Sequence, residues 1–425
     1  MKFLSRFLRQ GIHVGSLKLR DPDGRIELIE GGAAGPHLSL FIKDPSLDWK
    51  IALNPELAIG EAYMDGRLLL EDGSDIYTLF ELYFQNKYFF DHIPSQLISR
   101  KFYGKFKRFL QHNPVTRSRA NAQHHYDIGN RLYRLFLDGD MQYSCGYYPK
   151  GTETLEEAQT AKKRHIAAKL CLADGQRVLD IGCGWGGLAL YLASIADITV
   201  VGITLSKEQL KIAEARAVAA GLSDRVKFRL VDYREIVGSF DRIVSVGMLE
   251  HVGAPFLSPY FQGVRARLTV DGVALIHSIS SCEPPGVTGP FLSKYIFPGG
   301  YSPSLSEVFT AVEHSGLWAL DVEIWRKHYA YTLHEWRRRC GEAKSEIIAL
   351  YDERFYRMWE FYLAASEAAF LVSTSHVFQM QLGRRRQVVP LSRGYIEKSS
   401  TEIEAKEPQF LPKLAAATAA VFDMQ

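Results

Sequence analysis

The stretch Val178-Leu-Asp-Ile-Gly-Cys-Gly-Trp-Gly-Gly187 constrains the fold more than any other part of the chain. Val178 and Leu179 favour a strand, the glycines permit a tight turn with close backbone approach, and Leu188 to Ala193 continues in helix-forming residues. A strand turning into a helix over glycines is a cradle for a nucleotide cofactor. Gly182, Gly184 and Gly187 satisfy the spacing of dinucleotide binders, which also requires a ribose-binding acid about twenty residues later. Thr199 to Ser206 reads Thr-Val-Val-Gly-Ile-Thr-Leu-Ser and supplies none. Asp180 instead lies beside the glycines, where a carboxylate opposes a pyrophosphate but suits a cofactor with a cationic end, such as S-adenosylmethionine.

The flanking pattern predicts further strands over Ile198 to Ile203, Val226 to Val231, Phe240 to Val246 and Val273 to Ile279, with crossover helices over Lys207 to Ala220 and Leu257 to Leu268. A helix opened by Thr154 or Glu153 and running toward Leu172 precedes the first strand. The fold class is therefore α/β, doubly wound, with ligands gathered at the carboxyl ends of mostly parallel strands. A length of 425 residues calls for two domains. Residues 12 to 60 predict a small strand-rich module, followed by an aromatic helical run from Asp75 to Phe90 and further helix to about Leu110. The polar break at His112 to Ala120 places the boundaries at 1–115 and 116–390, with a proline- and glycine-rich lid insertion around 280–310. Tyr351 to Leu382 reads as one long aromatic helix, and the tail 391–425 as an appendage.

A hydrophobic share of 47% and a charged share of 23% fit a soluble globular protein. The net charge of +3 excludes little, but its distribution is uneven. Arg100, Lys101, Lys105, Lys107, Arg108, Arg117 and Arg119 interleave with Phe102, Tyr103, Phe106 and Phe109, as a docking face for anionic membrane or nucleic acid would, or as a solvated helix face would. Five widely spaced cysteines without metal-ligand spacing read as reduced thiols of a cytosolic protein. No apolar run approaches the roughly 20 residues that a spanning helix needs, which limits membrane contact to the periphery.

Polar groups cluster at the strand ends. Asp232 ends the third strand, where it accepts from an adenine amino group or caps a turn, with Tyr233 in stacking range. Thr204 and Gln209 offer hydroxyl and amide contacts in place of the missing acid. Glu250 and His251 follow the fourth strand and His277 ends the next, a combination that serves an oxyanion, a proton transfer or an incomplete metal site. Asn121 to Asn130 and Asp140 to Tyr148 are dense in polar and aromatic residues suited to lining a cavity; Cys145 among them has no activating partner in sequence.

His125-Tyr-Asp-Ile-Gly-Asn130, Tyr143-Ser-Cys-Gly-Tyr147, Val178 to Gly187, Gly202-Ile-Thr-Leu-Ser206, Asp232-Tyr-Arg234, Ser245 to Gly253, Lys294-Tyr-Ile-Phe-Pro-Gly299 and His328-Tyr-Ala-Tyr-Thr-Leu-His-Glu-Trp336 together resemble the cyclopropane-fatty-acyl-phospholipid synthase and mycolic acid synthase family. The resemblance covers roughly residues 60 to 382. It implies a Rossmann-like class I methyltransferase domain with a smaller N-terminal α+β domain that docks on lipid. It also implies methyl transfer from S-adenosylmethionine to a cis double bond of an unsaturated phospholipid, with a bicarbonate ion taking the proton lost on ring closure. The matching anion ligands are Cys145, Glu250, His277, Tyr329 and the backbone N–H of Ile279. Tyr143, Ser144, Gly182, Gly184, Thr204, Leu205 and Gln209 match cofactor contacts. The same resemblance implies a homodimer, cytoplasmic and peripheral to the inner face of the cell membrane. Gly146 departs from the alanine usual in the family. Two other readings use the same sheet: a methyltransferase giving methyl-branched or methylene chains, and a non-catalytic lipid-binding protein. A nucleic-acid methyltransferase would need a more basic face and a base-flipping pocket.

Overall fold

The structure, a computed structural model, describes residues 1–94 and 129–423. The basic aromatic stretch 100–119, the break at 112–120 and most of the segment 121–130 lie outside the described residues. Contacts divide the chain into two units. One joins the N-terminal residues to Gly286–Pro298 and Ala330–Ser375; the other joins the residues up to Pro285 to Gly299–Tyr329 and the chain from His376 onward.

The first unit is built on a four-stranded sheet of β1 (Val14–Arg20), β2 (Ile26–Glu30), β3 (Ala33–Ile42) and β4 (Leu68–Leu70), in the order β2-β1-β3-β4. The strand-rich expectation holds only to Ile42. Helices occupy Leu47–Leu53 and Pro55–Met64, where the buried Leu47 and Ile51 are four residues apart rather than alternating. Asp75 caps the helix Ile76–Gln85 by accepting from Thr78 N at 2.8 Å. Asn86 ends it and is fully buried. Its Oδ1 accepts from His13 N and Val14 N and its Nδ2 donates to Val14 O and Leu82 O, each at 2.8 Å. The helix Glu353–Val372 packs on Ile76–Gln85 and Pro55–Met64, with Phe361 edge-on to Phe80 at 4.7 Å. That burial draws a distant stretch of sequence into this unit. Phe291 of the proline-rich insertion lies so close to Gly60 that an added Cβ would meet its ring at 2.3 Å.

The second unit is a seven-stranded sheet. Its strands are β5 (Arg177–Ile181), β6 (Thr199–Thr204), β7 (Val226–Leu230), β8 (Phe240–Val246), β9 (Leu268–Ser281), β10 (Trp318–Trp325) and β11 (Ser375–Gly383). Their order is β10-β11-β9-β8-β5-β6-β7, parallel from β9 to β7 and antiparallel between β10 and β11. Alternation divides each central strand between two cores: Val178, Val244 and Leu275 face one, Leu179, Ile243 and Ile276 the other. The expected crossover helices form over Lys207–Ala219 and Leu257–Arg267. The chain is thus doubly wound α/β with a smaller N-terminal α+β module, as its sequence pattern implies.

Two expectations need correction. The helix read through Leu382 stops at Val372, and the rest is β11, where Phe378, Met380 and Leu382 alternate with Val377, Gln379 and Gln381. Phe378 to Leu382 does alternate apolar and polar residues, but five positions at the end of a long aromatic helix pattern are too few to separate strand from helix, and the glutamines are buried as well. The tail is no appendage either. It forms helices Gly394–Glu404 and Leu411–Phe422, and Ile396, Ile403 and Leu414 join the core of the sheet. Glu407 is buried there between Arg164, at 2.6 and 3.0 Å, and the Tyr191 hydroxyl at 2.6 Å.

Thr154 opens the helix Leu155–Leu170 with a reciprocal cap: its Oγ accepts from Glu157 N at 3.3 Å, and Glu157 Oε2 accepts from Thr154 N at 2.8 Å. Thr154→Ala should lower stability by about 1 kcal/mol in denaturant unfolding, the usual cost of a lost N-cap; an unchanged midpoint would mean that the cap contributes nothing here.

Candidate active site

The carboxyl ends of β5, β6, β7 and β8 open onto one cavity. Tyr143, Ser144, Asp180, Gly182, Gly184, Thr204, Leu205, Gln209, Asp232 and Tyr233 all line it. The turn after β5 is shaped by glycine: Gly182, Gly184 and Gly186 have φ of 82°, 55° and 85°, which L side chains rarely adopt. Gly182 N and Cys183 N donate to Ile203 O at 2.9 and 3.0 Å, fixing the turn to β6.

Asp180 is 2% exposed, and its Oδ2 has no hydrogen-bond partner among the described residues. Burial pushes its carboxyl up to about 7, against the opposing pull of Lys162. Such a carboxyl answers a cationic or hydrogen-bond-donating ligand. Thr204 Oγ donates to Gln209 Oε1 at 2.8 Å, and Ser206 caps the following helix by accepting from Gln209 N at 3.2 Å. Asp232 is 1% exposed and gripped by Arg234: Oδ1 accepts from the backbone N at 2.9 Å and from Nε at 2.8 Å, Oδ2 from Nη2 at 2.7 Å. It therefore caps its turn, and it also lines the cavity.

Several residues that hold this site carry no signal in the sequence. Lys162, fully buried in the helix Leu155–Leu170, donates to Gln142 Oε1 and Ser144 Oγ, both at 2.8 Å. Gln159 on the same helix donates to Ser144 O at 2.8 Å. Burial pulls the Lys162 ammonium down to about 7 although Asp138 opposes the shift. Asp140 takes ion pairs from Lys163 and Arg216, and Arg216 also donates to Trp185 O in the glycine turn at 2.7 Å. A helix pattern rich in lysine reads as a solvated face, and only tertiary burial shows otherwise.

A second group lies at the ends of β8 and β9. Glu250 sits in a short 3-10 turn after β8, and its Oε1 accepts from Ile279 N on β9 at 2.7 Å. The Ile279 N–H is thus directed at Glu250. Glu250 Oε2 is buried with no hydrogen-bond partner among the described residues, and burial pushes this carboxyl up to about 7. His277, two residues before Ile279, is 2% exposed and held neutral by burial, well below the usual range. Trp325 packs against this group: His277 meets it edge-on at 5.0 Å, and Tyr147, two positions after the fully buried Cys145, stacks on it at 4.7 Å. His328, beside Tyr329, accepts from Tyr148 N at 2.9 Å through Nδ1. His251 instead lines the first cavity, its imidazole pushed down to about 4 by burial. Among the described residues no cluster of His, Cys, Asp and Glu is arranged to hold a metal ion.

The sheet order, the glycine turn after β5 and the acids at the strand ends define a Rossmann-like, S-adenosylmethionine-dependent methyltransferase. The family model described as mycolic acid cyclopropane synthetase matches residues 113–380, and the chain belongs to this family. A probable fatty acid methyltransferase of Pseudomonas putida is 36% identical over 360 residues, 81% of this chain and 88% of the relative. The cyclopropane-fatty-acyl-phospholipid synthase of Escherichia coli K12 is 38% identical over 354 residues, 81% of this chain and 87% of the relative. The solved structure of mycolic acid cyclopropane synthase CmaA1, complexed with SAH and CTAB, superposes with a TM-score of 0.59 at 32% identity, covering 64% of this chain and 99% of that one.

Because the buried Asp180 carboxyl titrates near 7, cofactor affinity should weaken as the pH falls through 7 and the carboxyl takes a proton. Calorimetric titration with S-adenosylmethionine should show this in the native protein. In Asp180→Asn the same titration should show at least about tenfold weaker binding without that pH dependence, as befits loss of a buried charge partner. Native-like affinity in the variant would remove Asp180 from the site.

Proposed function

We propose that this enzyme transfers the methyl group of S-adenosylmethionine to a cis double bond of a phospholipid acyl chain and closes a cyclopropane ring, with bicarbonate held between Glu250, His277, Tyr329 and Cys145. The observation that carries this reading is the Glu250 carboxyl, anchored through Oε1 by the Ile279 N–H while Oε2 is buried and unanswered. A neutral histidine beside a carboxyl that titrates near 7 suits a small oxyanion carrying its own hydroxyl. Glu250 accepts from that hydroxyl, His277 and Tyr329 donate, Cys145 forms the wall, and Ile279 positions Glu250.

S-adenosylmethionine supplies an electrophilic methyl group. Asp180, Ser144, Tyr143 and the glycine turn hold it; Thr204, Leu205 and Gln209 flank its ribose, and Asp232 and Tyr233 its adenine. An alkene is a weak nucleophile, so alignment contributes more than activation. The π electrons bond to the methyl carbon as the carbon–sulfur bond breaks, leaving a cation on the neighbouring chain carbon. Aromatic faces along the acyl-chain path would stabilise that charge without capturing it. Glu250, His277 and Tyr329 would hold a bicarbonate, which would supply the base for the proton that leaves the new methyl as the ring closes. Burial of Glu250, His277 and Cys145 keeps out water that would quench the cation.

Incubation with S-adenosylmethionine and vesicles of mono-unsaturated phospholipid, followed by mass and proton NMR analysis of the released chains, tests the reading. A chain heavier by one methylene, inert to mild hydrogenation and showing upfield ring protons is the expected product. The likeness to a probable fatty acid methyltransferase favours a second reading, a methyl-branched chain; a heavier chain that still takes up hydrogen would establish it. Glu250→Gln should retain cofactor binding while turnover falls by about 10²–10⁴-fold, the range for losing the proton transfer that the held anion would perform. Equal loss of both would make Glu250 structural.

The substrate lies in a bilayer, and among the described residues no helix is long and apolar enough to cross one. The reading accordingly includes a homodimer held peripherally on the inner face of the cell membrane, the N-terminal residues docking on anionic lipid. Binding to anionic vesicles should weaken as salt rises; salt-independent binding, or none, would sink the docking scheme.

A further inference from the structure

The proposed anion site requires an N–H from His277, and a neutral imidazole carries only one. His277 is neutral because burial, reinforced by Lys162, Lys169 and His165 nearby, disfavours its charged form. Its tautomer therefore decides whether the nitrogen facing an anion donates to it or repels it. Gln379 on β11 is fully buried, and its Nε2 faces His277 Nδ1 at 3.2 Å. An amide nitrogen can only donate, so Nδ1 accepts and the ring proton belongs on Nε2. Gln379 Oε1 has no partner among the described residues, so this amide is not placed by packing hydrogen bonds of its own strand. The reverse orientation would turn an acceptor toward Nδ1, place the ring proton there and leave Nε2 of the imidazole unprotonated. The neighbouring Gln381 shows the bland alternative: its Nε2 is spent on Lys169 O and the Tyr395 hydroxyl, at 2.5 and 2.7 Å, and supports packing alone.

We propose that Gln379 is a positioning residue that fixes His277 as the Nε2–H tautomer, so that the ring presents a donor to the oxyanion. This rests on the bicarbonate reading for its purpose, though the tautomer itself can be observed without substrate. Trp325 completes the setting: its ring meets His277 edge-on at 87°, which limits rotation of the imidazole about its own plane.

The test is a long-range proton–nitrogen NMR correlation on protein labelled with 15N-histidine, with the His277 signals assigned by their disappearance in His277→Gln. The native protein should show the Nε2–H tautomer. In Gln379→Glu the new carboxylate should draw the proton to Nδ1, and in Gln379→Met, which keeps the volume and removes the donor, the preference for Nε2–H should be lost. Both variants should bind S-adenosylmethionine as the native protein does while kcat falls by about 10–100-fold, the usual cost of losing a partner that orients a functional histidine. An Nδ1–H tautomer in the native protein overturns the inference, as does an Nε2–H signal unmoved in Gln379→Met. If the tautomer shifts as expected but turnover in the native protein proves independent of bicarbonate, the bicarbonate reading fails and the positioning role stands.

Discussion

Asp140 is the point on which the site is hung. Burial alone would push its carboxyl up, but Lys163 and Arg216 overcome that and hold it well below the usual range. Through these pairs the helices Leu155–Leu170 and Lys207–Ala219 are drawn onto one acceptor, and Arg216 extends the grip to Trp185 O in the glycine turn. Gly187 has no side chain because Asp140 and Gln142 occupy the space: an added Cβ would meet them at 2.4 to 2.7 Å. Removing one partner of a buried pair leaves an uncompensated charge and costs roughly 3–5 kcal/mol. The cluster therefore fixes where the cofactor turn lies as well as contributing to stability.

Around that fixed frame the two polar groups share one physical strategy. Each keeps a carboxyl, Asp180 or Glu250, out of water with one oxygen unanswered, and each titrates near 7 rather than near 4. The reorganisation that water would need on binding has been done in advance by the fold. Lys162 lies between them electrically, lowering the proton affinity of both Asp180 and His277 while its own hydrogen bonds hold Gln142 and Ser144. The register of β8 against β9, with Val246 opposite His277, sets where His277 lies relative to the turn that carries Glu250.

Most of the frame was legible in sequence because strand and turn residues are local signals. Val178 to Gly187, the crossover helices and the strands from Thr199 to Val246 follow from periodicity and glycine alone. Long-range burial was not legible. Gln159, Lys162 and Lys163 look like a wet helix face, and Gln379 and Gln381 look like helix-formers at the end of an aromatic run. The tail beyond residue 391 shows no strong pattern because its helices need only a few apolar contacts, Ile396, Ile403 and Leu414, to dock on a core made elsewhere. Polar groups buried for function break the patterns from which structure is read, so the residues hardest to anticipate were those that hold the chemistry in place.

The unanswered carboxyl oxygens also bear on how long the molecule survives. A buried acid whose folded-state value lies above that of the unfolded chain contributes stability at low pH that is lost as the pH rises through about 7. At neutral pH a ligand that answers these carboxyls with positive charge or a donated hydrogen bond would relieve that cost, and ligands that bind only the native state raise apparent stability. Proteases sample the unfolded fraction, so a ligand bound to the native fold would also slow degradation.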